Sequence, residues 1–138
     1  MSDQYSRRFS NIDRRTKLAT KKVMAGWSTK SNSEQFDAMN VWLRKVSQIY
    51  ALPTPTLRRH DGCDSGWYIP ALNRIEVPHF SLITLFHEFR HAYQHSHFPQ
   101  RMVDNVEDDA RAWSLSLYRS VAPRTYAHLV NTGRVLHI

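Results

Sequence analysis

The most restrictive pattern in the chain lies between Ser81 and Phe98. Leu82, Leu85, Phe86, Phe89, Ala92 and Tyr93 recur at intervals of three and four, the period of a helix with one buried face. Set into that stripe is the run His87-Glu88-Phe89-Arg90-His91. One helical turn separates His87 from His91, so both imidazoles leave the same side of the cylinder. Glu88 stands one step further round. Ser81 supplies a side chain suited to cap the helix start, and Phe98-Pro99 marks its end.

Other elements arrange themselves around this one. Ser31 and Glu34 have capping-box spacing, and Phe36, Met39, Leu43, Val46 and Tyr50 then form a second helical stripe that stops before Pro53 and Pro55. Thr56-Leu57-Arg58 reads as a short strand. Asp61-Gly62 and Ser65-Gly66 are turn signals, and Trp67-Tyr68-Ile69 and Arg74-Ile75-Glu76-Val77 flank Pro70-Ala71-Leu72-Asn73 as a hairpin would. Ile75 and Val77 should face one side of the sheet, Arg74 and Glu76 the other. A third helix is expected from about Met102 to Ser120, with Val103, Val106, Ala110, Trp113 and Leu117 inward, ended by Pro123; the tail from Tyr126 holds a further short helix or strand. The expected architecture is an α+β domain over residues 31–138, with three main helices and a small antiparallel or mixed sheet. Four glycines in 138 residues argue against a turn-dense all-β sandwich, and no repeat or second domain is visible.

Residues 1–30 are polar and basic. They hold Arg7, Arg8, Arg14, Arg15, Lys17, Lys21, Lys22 and Lys30, a large part of the 19 Lys and Arg set against 12 Asp and Glu. They read as a basic N-terminal arm, with Leu18, Val23, Met24 and Trp27 as material for one short helix docked through Trp27. Such an arm is either a solvated tail or a weak contact for nucleic acid or an acidic protein. The single cysteine, Cys63, excludes an internal disulfide and a Cys-only zinc ribbon. With no apolar stretch resembling a signal peptide or a membrane span, a cytoplasmic protein is expected.

The spacing of His87, Glu88 and His91 suits one ion. Two imidazole nitrogens on one helix face can both reach a zinc ion, while Glu88 reaches its water without ligating the metal. Zinc would acidify that water and polarise a scissile carbonyl, with Glu88 as general base. A catalytic site needs a third protein ligand, and Glu107-Asp108-Asp109 offers three carboxylates. Glu107 lies roughly 70° from the centre of the inward stripe, Asp109 roughly 90° and Asp108 nearly opposite. Glu107 is therefore preferred, Asp109 comes next, and Asp108, Asp104 or a histidine follow. His95 and His97 extend the histidine ladder, but only His87 and His91 have a glutamate at the right offset; His95 is expected nearby or solvated. Asp108 or Asp109 is expected to accept the outer N–H of a ligating histidine. Tyr93, Tyr118, Tyr126, His128 and His137 are candidates by type alone for stabilising an oxyanion. The strand Arg74–Val77 would offer an open edge to an extended peptide.

Three stretches together, Asn73-Arg74-Ile75-Glu76-Val77, Thr84-Leu85-Phe86-His87-Glu88-Phe89-Arg90-His91-Ala92 and Glu107-Asp108-Asp109-Ala110-Arg111-Ala112-Trp113-Ser114, resemble the zincin metallopeptidases. The likeness is to the gluzincin-like branch that includes the ImmA/IrrE-type peptidase domains, and more distantly to SprT-like peptidases. It covers roughly residues 35–120. It implies a minimal zincin-like fold, His87, His91 and Glu107 as zinc ligands, Glu88 as catalytic base, a protein or peptide substrate, and a place in phage or mobile-element biology. Arg90 stands where that group more often has glycine, and Arg111 where it has Asn or Asp. The competing reading is a non-catalytic, metal-stabilised binding protein that uses the basic arm on nucleic acid or a phage particle.

Overall fold

The computed structural model describes residues 4–9, 11–60, 65–99 and 105–133. Within these, five α-helices and three short strands form a mixed α+β fold. Helix α1 spans Arg14–Met24, α2 Asn32–Ile49, α3 Leu82–His97, α4 Val106–Val121 and α5 Pro123–Asn131; strands β1, β2 and β3 are Thr56–Arg59, Trp67–Ile69 and Arg74–Val77. Cys63, the Asp61-Gly62 turn, Asp104, His137 and the expected helix start at Met102 and Val103 lie outside the described residues.

Local chemistry accounts for the helix ends. Ser31 and Glu34 cap each other's backbone at the head of α2, and Ser81 accepts from the Thr84 N–H at the head of α3. Pro123 opens α5, where its missing N–H costs nothing. The inner faces of α2 and α3 then meet. Trp42 meets Phe86 at a tilt at 4.8 Å and Phe89 edge-on at 5.2 Å, while Tyr50, just past α2, and Trp113 of α4 close on Phe89. Aromatic rings in tilted and edge-to-face contact bury large apolar areas at favourable quadrupole geometry.

Within the stretch expected as a basic arm, residues Arg14–Met24 are helix α1, packed on α2 with Thr16, Ala19, Thr20 and Val23 buried. The Trp42 indole N–H donates to Thr20 Oγ1 at 2.9 Å, and Thr20 in turn donates to the Thr16 carbonyl. Both buried polar groups are thereby satisfied. The cations of α1 stay on its outer surface, where Arg14, Arg15, Lys21 and Lys22 are exposed. Residues 4–9 lie against α4, and the Phe9 N–H donates to Ser116 Oγ at 3.2 Å.

The sheet is mixed, in the order β1-β3-β2. β2 and β3 form the expected antiparallel hairpin, turning through Asn73 at φ +45°, while β1 lies parallel to β3 on its other side. The alternation along β3 is as expected. Ile75 and Val77 are fully buried toward the core, and Glu76 turns the other way to Arg74 and His60. One expectation fails here: the strand Arg74–Val77 has no open edge, because both of its sides are paired. The outer edge beside the cleft belongs to β2. Among the described residues no helix is long and apolar enough to cross a membrane.

Candidate metal centre

Helix α3 carries His87 and His91 on the side facing α4, and the first turn of α4 brings Glu107 to meet them. Glu107 Oε2 lies 3.2 Å from His87 Nε2, and Glu107 Oε1 lies 2.6 Å from His91 Nε2. One ligand atom from each residue falls within a 4.8 Å group, so these three residues can hold a metal ion. Among the described residues, Glu107 is the candidate third ligand that the structure brings to the histidines. Asp109 is turned to Arg90, accepting from its Nε at 2.7 Å, and takes a further hydrogen bond from Gln94. The first turn of α4 thus splits its acidic run between the histidines and the Arg90 side of α3.

The outer nitrogens of the two histidines differ. His91 Nδ1 is 2.8 Å from Gln94 Oε1, one turn further along α3. This corrects the expectation that Asp108 or Asp109 accepts that N–H; an amide does, and Asp109 stands one bond behind it. His87 Nδ1 is buried with no hydrogen-bond partner. Burial first, then the neighbouring His91, lowers the His87 pKa to about 4, and this keeps its imidazole neutral and able to ligate.

Glu88 is buried at the floor of the cleft. Burial raises its pKa to about 7; His91 and a hydrogen bond from the Tyr68 N–H pull it down, and Glu107 pushes it up. A carboxyl group poised there can take and return a proton near neutrality. The cleft around it has a volume of about 870 Å³, with Gly66, Trp67, Tyr68, Tyr93, His95 and Phe98 among its walls.

Gly66 sets how closely β2 approaches α3. A Cβ there would lie 2.5 Å from Thr84 Cγ2, 3.0 Å from the Glu76 carbonyl oxygen and 3.5 Å from Glu88 Cγ. The Glu76 carbonyl belongs to the backbone of β3 and cannot rotate away, so the chain entering β2 would have to shift away from β3 and α3. G66A should therefore lower stability by about 1–3 kcal/mol, read as a fall in the denaturation midpoint. An unchanged midpoint would show that the strand has room to move.

Among the described residues proposed by type for an oxyanion, Tyr93 alone lines the cleft. Tyr118 and Tyr126 pack on each other in a separate cluster with Leu115, and His128 is exposed on α5. His95 is exposed at the cleft wall, its ring 6.1 Å from Tyr68, and stands outside the three-residue group. His97 bonds the Tyr50 carbonyl instead. The sequence pattern assigns no part in the site to Gln94, and marks Gly66 and Tyr68 only as turn and strand residues. Gln94 carried the one usable signal, being three residues past His91 on the same helix.

Comparison with family models, with curated proteins and with solved structures returned no match.

Proposed function

We propose that the chain is a zinc-dependent metallopeptidase of the HExxH type, acting on a protein or peptide. The observation that carries this reading is the convergence of His87 Nε2, His91 Nε2 and Glu107 beside a buried carboxyl group, Glu88, that takes no part in the group. A purely structural site has no use for such a base.

The donor set fits a metal ion by proton count. The Gln94 amide nitrogen faces two groups that only accept, the Val106 carbonyl and the Asp109 carboxylate. Its oxygen must then face His91, so His91 Nδ1 carries the hydrogen. The other nitrogen of that ring presents a lone pair to a carboxylate oxygen 2.6 Å away. Two acceptors at that distance need a cation between them, a proton or a metal. Two imidazoles, one carboxylate and room for a water make a ligand set suited to catalytic zinc.

When bound, zinc would act as a Lewis acid toward a peptide carbonyl and would ease ionisation of a water molecule. Glu88 would take the proton from the attacking water and deliver it to the leaving amine. Tyr68 N–H, which donates to Glu88, holds that carboxyl against β2. Since β2 is an edge strand that also lines the cleft, an extended substrate backbone would pair there, in place of the Arg74–Val77 edge.

Metal analysis tests the reading. Wild-type protein dialysed against zinc should retain one equivalent, and H87A and E107Q should lose most of it, with H87A the more severely affected. Wild type free of stoichiometric zinc under those conditions would end the proposal.

A further inference from the structure

We infer that Gln94 is a positioning residue for the metal centre. It fixes the tautomer and rotation of His91 through a relay that starts at Arg90 on α3 and passes through Asp109 on α4. This rests on the metal-site reading above.

The relay is built from charge-assisted and fully assigned hydrogen bonds. Arg90 Nε and Nη2 reach the two carboxylate oxygens of Asp109 at 2.7 and 3.3 Å, a forked pairing. The guanidinium cannot swing away easily. Its carbon sits 4.5 Å from the Tyr93 ring centre, 5.1 Å from Phe9 and 5.7 Å from Trp113, held among three aromatic rings. Asp109 is therefore a fixed acceptor.

That fixed acceptor decides which way the Gln94 amide faces. Gln94 Nε2 donates to Asp109 Oδ2 at 2.8 Å and to the Val106 carbonyl at 3.0 Å. A flipped amide would set its oxygen against both acceptors. With the nitrogen committed, Oε1 is left for His91 Nδ1 at 2.8 Å. An imidazole held this way leaves Nε2, aimed at Glu107, as its metal-binding nitrogen, and gains basicity from the acceptor behind it. His87 has no such support among the described residues, its Nδ1 being unpartnered. The centre thus has one braced and one unbraced histidine. The bulky Arg90, which departs from the glycine of the resembled group, acquires a purpose as the far end of the brace.

The relay also ties α3 to α4, so a merely structural role must be separated from a positioning one. Two substitutions do this. Q94L removes both the acceptor for His91 and the donors to α4. Q94E keeps an acceptor facing His91 but loses the donors to Val106 and faces Asp109 with like charge. The measurements are the zinc dissociation constant of the full chain by competition with a chelator, and the visible spectrum of the cobalt(II)-substituted protein. Q94L should weaken zinc binding by about 10–100-fold and alter the cobalt spectrum. Q94E should bind zinc within a few-fold of wild type, even if its thermal midpoint falls further than that of Q94L. Equal zinc affinity in Q94L and wild type would overturn the inference while leaving the metal site standing. Weak binding by both variants, in step with their loss of stability, would reduce Gln94 to a helix tie. A wild-type protein that binds neither metal would overturn the inference and the proposed function together.

Discussion

Glu88→Gln should retain zinc and lose turnover. The substitution keeps shape and hydrogen-bonding capacity but cannot accept a proton at the carboxyl oxygen. General-base contributions of roughly 10²–10⁴-fold are at stake, so kcat on any substrate cleaved by wild type should fall by that order. Because Glu88 belongs to neither the His87/His91/Glu107 group nor the Gln94 relay, zinc content and dissociation constant should stay close to wild type. Replacing a buried acid whose pKa lies near 7 with a neutral amide also removes a desolvation penalty. Folding stability should then hold or rise slightly. The combination separates this variant from His87→Ala, where metal and activity go together. Wild-type turnover in zinc-loaded E88Q would remove Glu88 from the chemistry.

The largest effect on folding should come from Phe89, which sits between Glu88 and Arg90 but faces the other way. It is 1% exposed and touches three rings, Trp42 of α2 at 5.2 Å, Tyr50 at the end of α2 at 6.2 Å and Trp113 of α4 at 5.8 Å. Phe89→Ala would leave a cavity at the meeting point of α2, α3 and α4, at a cost of about 3–5 kcal/mol. Domains of this size are stable by roughly 5–15 kcal/mol, so a sizeable unfolded population is expected at 37 °C. Chemical denaturation should show a lower midpoint with a similar slope. Phe89→Leu should recover more than half of the loss. A drop under 1 kcal/mol for the alanine variant would mean that the aromatic cluster repacks freely.

Much of this was readable before any coordinates. The period of apolar residues set the course of α2 and α3, because a helix with one buried face writes itself into sequence at intervals of three and four. Capping residues marked their starts, and the His87–Glu88–His91 spacing placed three chemical groups with no tertiary information at all. Glu107 was favoured over Asp109 by helical phase, and the structure brings it to the histidines. Phase could not show why Asp109 lies elsewhere, since its partner Arg90 is on another helix and only packing brings the two together.

Other features were not local enough to read. The order β1-β3-β2 depends on which strand β3 meets first, and a hairpin signal says nothing about a third strand on its far side. The packing of α1 was only partly readable. Of the apolar residues expected to dock it, Val23 is buried but Leu18 is exposed, and the rest of the buried face is made of Thr16, Ala19 and Thr20, small or polar residues that advertise little hydrophobicity beside Arg14, Arg15, Lys21 and Lys22. A buried threonine becomes welcome only once Trp42 donates to it, and that bond joins two helices.

The division of the metal group between two helices has a thermodynamic side. His87 and His91 stay one turn apart whenever α3 is helical, but Glu107 joins them only when α4 has docked. An unfolded chain therefore offers at best two of the three ligands at a fixed spacing. An ion that needs all three binds the folded form selectively and deepens its well by mass action, by about 4 kcal/mol when present at a thousand times its dissociation constant. The stability of this chain would then be a property of its solution as much as of its sequence, rising and falling with the free metal around it.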